Sequence, residues 1–93
     1  MRVMGAIFDT IRDKLNQAFE PSRLEVEDDS ARHHGHAGAP PGGESHFNVV
    51  IESAAFVGAS RVERQRMVYR ALAEELAGPV HALAVKALAP GEA

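Results

Sequence analysis

Apolar side chains fall at helical spacing over residues 4–19, where Ile7, Phe8, Ile11, Leu15 and Phe19 recur while Asp9, Arg12, Asp13, Lys14 and Asn16 fill the other side. That pattern predicts an amphipathic helix with one face to bury. Pro21 cannot continue the hydrogen-bond ladder and, with Ser22, closes the helix. The period then drops to two. Over residues 22–28, Leu24 and Val26 alternate with Arg23, Glu25 and Glu27, as in a half-buried strand. His46–Glu52 alternates again, with Phe47, Val49 and Ile51 on one side. Residues 29–44 lie between these strands and carry Arg32-His33-His34-Gly35-His36, then Gly38-Ala39-Pro40-Pro41-Gly42-Gly43. Glycine and proline at this density predict a long, mobile loop at the tip of an antiparallel pair, and connections of this length are often functional.

Residues 56–60 read as a turn. Ser60 is suited to cap a helix, and Glu63 three residues on completes a capping box. The helix is expected to run to about residue 77, with Val62, Met67, Leu72 and Leu76 among its buried positions, until Gly78-Pro79 stops it. Residues 80–88 form a third strand in which Leu83, Val85 and Ala87 share a face, with His81 at the leading end of that face. A tail occupies residues 89–93. The order is helix, strand, strand, helix, strand, and the strand–helix–strand step favours a parallel, right-handed crossover. The expectation is one α+β domain over residues 1–93, with a three-stranded mixed sheet packed by helices.

Composition narrows the function classes. The chain has 93 residues, 45% of them hydrophobic and 25% charged, which suits an ordinary globular protein with one modest core. It has no cysteine, so it forms no disulfide and supplies no thiolate to a metal cluster. Its formal net charge of −3 argues against a global electrostatic footprint for nucleic acid, although a local basic patch is compatible with it. No apolar run approaches the roughly 20 residues needed to span a bilayer. No hydrophobic stretch with a small-residue cleavage site marks the start of the chain, so a cytoplasmic protein without membrane attachment is the expectation. No nucleophile elbow surrounds Ser30, Ser45, Ser53 or Ser60, and no phosphate-binding glycine motif is present, so catalysis is not expected.

The five histidines are the most informative local feature, with His33, His34 and His36 inside a four-residue window. Imidazole suits iron, zinc and copper. A loop carrying three of them can meet His81 if it folds back across the sheet end. The plainer alternative is a solvated, weakly metal-binding tract, with His81 a hydrogen-bonded residue at a strand end. His46, which opens a strand, is read as structural. Arg61, Arg64, Arg66 and Arg70 lie on two flanks of the second helix, interrupted by Glu63, Glu74 and Glu75; a solvated face with local ion pairs competes there with contact to nucleic acid or a partner.

Three stretches in order resemble the BolA family: Leu24-Glu25-Val26-Glu27-Asp28-Asp29-Ser30; Glu44-Ser45-His46-Phe47-Asn48-Val49 with Phe56, Gly58 and Arg64-Gln65-Arg66-Met67-Val68-Tyr69; and Leu72-Ala73-Glu74-Glu75-Leu76 through Val80-His81-Ala82-Leu83-Ala84-Val85. The resemblance implies a BolA-like fold similar to the class II K-homology (KH) fold. It also implies a monothiol glutaredoxin of the Cys-Gly-Phe-Ser (CGFS) type as partner, with a 2Fe–2S cluster shared between the two proteins and glutathione. In that arrangement cysteine and glutathione supply sulfur, while this chain supplies His81 and a loop histidine. Spacing from Asp28-Asp29-Ser30 makes His33 the best match, with His36 and His34 as alternatives. The isolated protein is then expected to hold no cofactor. The role implied is iron–sulfur cluster trafficking or iron homeostasis.

Some members of the family are described as transcriptional regulators, so DNA binding through the arginine helix is the second reading. The segment Phe56-Val57-Gly58-Ala59-Ser60 lacks the Gly-x-x-Gly clamp of K-homology domains. Gln65 stands where the family usually has histidine between the two arginines. A homodimer is compatible with the resemblance.

Overall fold

The computed structural model describes residues 5–29 and 46–92. Helix α1 spans Ala6–Phe19 and strand β1 spans Arg23–Asp28. Strand β2 is His46–Glu52, followed by a 3-10 turn over Ala54–Phe56. Helices α2 (Arg61–Ala71) and α3 (Ala73–Ala77) lead into strand β3 (Ala82–Leu88). The sheet order is β1-β2-β3, with β1 antiparallel and β3 parallel to the central β2. The α+β class and the mixed sheet are as expected from the alternation and the crossover. Among the described residues, no helix is long and apolar enough to cross a membrane.

The core lies where period-two and period-3.6 faces meet. In β2, Phe47, Val49 and Ile51 are buried, and register sets Leu83, Val85 and Ala87 of β3 beside them. Leu24 and Val26 of β1 pair with Ile51 and Val49 from the other side. Ile11 and Leu15 from α1, and Val68 and Leu72 from the second helical region, close over this face with Phe56 and Val80. The Phe19 and Phe56 rings pack with centroids 5.0 Å apart. Ser53 is buried at the same junction: its hydroxyl donates to the Phe19 carbonyl at 2.6 Å and accepts from the Ala55 N–H at 3.1 Å.

Local signals act as expected at the helix ends. The Ser60 hydroxyl accepts from the Glu63 N–H at 3.1 Å, and the Glu63 carboxylate accepts from the Ser60 N–H at 2.8 Å. That backbone donor holds the Glu63 carboxyl below its ordinary value. Gly58 adopts φ +80°, a conformation glycine takes without the steric cost of a Cβ.

Three details differ from the sequence reading. Val62 is 56% exposed rather than buried. On α2 the inward stripe runs through Arg64, Val68 and Leu72, and Val62 lies about half a turn away, above Gln65 and Tyr69. The second helix also divides at Leu72, whose φ of −109° and ψ of 24° leave the helical region. The hydrogen-bond ladder still passes through, since the Leu72 N–H reaches the Val68 carbonyl and the Leu76 N–H reaches that of Leu72. Finally, β3 begins at Ala82, because the Val80 N–H is already committed to the Glu75 carbonyl at 2.9 Å.

Candidate functional site

Antiparallel pairing brings the end of β1 beside the start of β2, and parallel pairing brings the start of β3 to the same place. One sheet end therefore collects Asp28, Asp29, His46 and His81. The Asp29 N–H donates to the His46 carbonyl at 2.7 Å, which ties the two strands at that end. His46 pairs in register with Ala82, so His81 stands one residue before the strand, next to it. The His46 and His81 rings are 6.4 Å apart between centroids and inclined by 35°. His81 is exposed, whereas His46 is half-buried.

Residues 30–45 connect Asp29 to His46, so both anchors of the segment holding His33, His34 and His36 belong to this sheet end. The three loop histidines themselves lie outside the described residues. Among the described residues, no group of three or more His, Cys, Asp or Glu side chains is arranged to hold a metal ion. What these residues offer is one exposed imidazole, His81, beside a second, His46, at the root of a histidine-bearing segment. With no cysteine in the chain, any thiolate ligand comes from another molecule. This donor set fits part of a shared cluster and does not fit a complete one.

The four arginines fall into two groups, as the helical wheel predicts. Arg64 is the most engaged: its side chain is 13% exposed, and it donates from Nε to the Ala59 carbonyl at 2.9 Å and from Nη1 to the Ala87 carbonyl at 3.1 Å. It also grips Glu92 through bonds of 2.6 and 3.0 Å. That guanidinium, helped by the Ala89 N–H, holds the Glu92 carboxyl down to about 2. Arg61 is exposed beside this cluster. Arg66 and Arg70 are exposed on the other flank, where they line a shallow cavity of about 460 Å³ with Val57, Glu63 and Met67.

Sequence reasoning missed the contacts that connect distant segments. Lys14 reaches Glu74 at 2.7 Å and Glu75 at 2.9 Å, joining α1 to α3. Glu74, then Glu75, raises the Lys14 ammonium above its ordinary value. The signal available was phase, since Glu75 falls on the stripe of Val68 and Leu72 and Lys14 adjoins buried Leu15. Tyr69, which donates to the Leu83 carbonyl at 2.9 Å, carries no such signal.

An α+β architecture with helices over one face of a mixed sheet, and histidines gathered at one sheet end, defines the class. The profile of the family described as BolA-like protein matches residues 15–92. The chain belongs to the BolA-like family. It is 49% identical over 90 residues to BolA-like protein 1 of Bos taurus, covering 97% of this chain and 64% of that protein, so it spans somewhat less than two thirds of this relative's length. It is 49% identical over 79 residues to the DNA-binding transcriptional regulator BolA of Escherichia coli, covering 85% of this chain and 71% of that protein. Among solved structures, the BolA domain of SufE1 from Arabidopsis thaliana superposes with a TM-score of 0.86 at 43% identity, covering 98% of this chain and 100% of that one.

Proposed function

We propose that this chain is a non-catalytic adaptor that joins a monothiol glutaredoxin of the CGFS type and supplies imidazole ligands to a 2Fe–2S cluster shared with that partner and glutathione. His81 is one ligand and His33 the other, with His36 or His34 able to replace His33. The observation that carries this reading is the exposed His81 imidazole at the sheet end that anchors both sides of residues 30–45. Such a complex serves cluster trafficking or iron homeostasis. The division of ligands follows from composition, because a cysteine-free chain takes part in a cluster only when thiolates come from outside. Histidine in place of cysteine raises a cluster's reduction potential and makes ligation sensitive to pH near the imidazole pKa of about 6.5.

The test is the His81→Ala variant in the mixed complex. Loss or marked change of the cluster's visible circular dichroism is expected, with the apo variant still folded. An unchanged spectrum would remove His81 from the ligand set.

A second reading, DNA binding, draws on the Escherichia coli relative's description and on the exposed Arg61, Arg66 and Arg70. It requires a duplex complex that survives physiological ionic strength. Binding that disappears with modest added salt reflects only a few non-specific phosphate contacts and counts against it.

A further inference from the structure

Strand β3 forms one edge of the sheet, and the direction of its backbone groups follows from a single hydrogen bond. The Leu88 carbonyl accepts from the Ser53 N–H at 2.9 Å on the β2 side, so Leu88, Lys86 and Ala84 turn their backbone groups toward β2. Leu83, Val85 and Ala87 turn theirs outward. Two side chains of α2 agree with this parity: the Tyr69 hydroxyl donates to the Leu83 carbonyl and Arg64 to that of Ala87. Val85 lies between those two capped positions, with its N–H and carbonyl turned the same way.

A groove of about 650 Å³ runs beside this edge. Val85, Lys86, Ala87 and Leu88 all line it. Consecutive strand residues point to opposite faces, so four in a row share one groove only if it follows the strand's edge. Arg61 and Arg64 line the groove from α2, and Glu92 from the end of the chain. Arg64 and Glu92 neutralise one another, which leaves the exposed Arg61 and Lys86 to face an incoming ligand. Glu92 already illustrates what this place accepts: a carboxylate that takes hydrogen bonds from a guanidinium and from the backbone N–H of Ala89. Among the described residues lining the groove there is no aromatic ring, so it offers no stacking platform for nucleobases.

We propose that the β3 edge is a docking strand for an extended acidic peptide, which adds alongside Val85 and sets its carboxylates against Arg61 and Lys86. Main-chain pairing supplies the common affinity in strand addition, and flanking charges select the partner. The site occupies the C-terminal half of β3, whereas His81 precedes its first residue. The proposal is therefore independent of the cluster reading.

The test uses the full, isotopically labelled chain and a terminally blocked peptide of Glu-Glu-Val-Val repeats, which as a strand carries carboxylates on both faces and so reaches Arg61 on one and Lys86 on the other. The expected result is a saturable shift centred on the Val85 and Ala87 amides, with slower hydrogen exchange at both. The double variant Arg61→Glu, Lys86→Glu changes only exposed side chains and should weaken binding about tenfold, as two rim charges reversed together imply. A lysine–valine peptide should not bind. Any of four outcomes would overturn the proposal: no saturable shift, shifts centred elsewhere, equal binding by a proline-interrupted peptide, or tighter occupation of the groove by oligodeoxythymidine.

Discussion

Arg64 and Glu92 are separated by 28 residues, yet they form the tightest charged contact among the described residues of α2, with bonds of 2.6 and 3.0 Å. The pair has a pH signature. Arg64 first, then the Ala89 N–H, lowers the Glu92 carboxyl from an ordinary value of 4.5 to about 2. The native form therefore binds fewer protons than the unfolded chain between those two values, and the unfolding free energy falls as pH drops through that window. Above pH 4.5 the contribution is fully present. Glu63 and Glu74 are also held below their ordinary values and act in the same direction, so the informative comparison is with the wild type. Glu92→Gln should flatten the acid limb of a stability–pH profile measured by urea unfolding; a variant whose acid limb matches the wild type would show that the contact does not persist in solution. Histidine legibility also belongs to single residues. His81 stands out in the sequence because it precedes an alternating strand, and the fold sets it beside His46. Their proximity could not be read from spacing, because it depends on a parallel pairing between positions 35 residues apart in the chain.

Helix α2 illustrates how far local signals carry. Ser60, Glu63 and the turn at Gly58 fix where it starts, and Gly78-Pro79 ends the helical region, all through contacts within a few residues. Those features were legible. The buried face was legible only in part: the periodicity includes Val62, but an apolar residue in the first turn has no neighbour unless another element covers that side, and none of the described elements does. The break at Leu72 has no local sequence signal, since neither glycine nor proline is present there. The cap makes a direct prediction. Ser60→Ala removes the acceptor for the Glu63 N–H and should cost about 1 kcal/mol of unfolding free energy, whereas Ser60→Asp should stay within a few tenths. Chemical denaturation with an unchanged m-value measures both, and equal loss in the two variants would exclude the cap as the cause.

For the whole molecule, the topology explains why chemistry collects at one sheet end. An antiparallel hairpin followed by a parallel crossover brings the end of β1 and the starts of β2 and β3 together. The mixed sheet was legible because a strand–helix–strand step favours this handedness and direction. The connections made by Lys14 with Glu74 and Glu75, and by Arg64 with Glu92, were not, because phase can turn Glu75 and Arg64 inward without naming the distant side chain that each one meets. The same holds for the proposed partner molecule. A chain with no cysteine and an exposed histidine at the root of a histidine-bearing segment is chemically incomplete as a cluster site, and completion requires thiolates from elsewhere. The most direct measurement is an anaerobic titration of cluster-loaded monothiol glutaredoxin with this protein, followed by visible circular dichroism. If imidazole enters the coordination sphere, the expected result is a saturable spectral change at one-to-one stoichiometry. A spectrum that stays that of the glutaredoxin alone through an excess of this protein would contradict it.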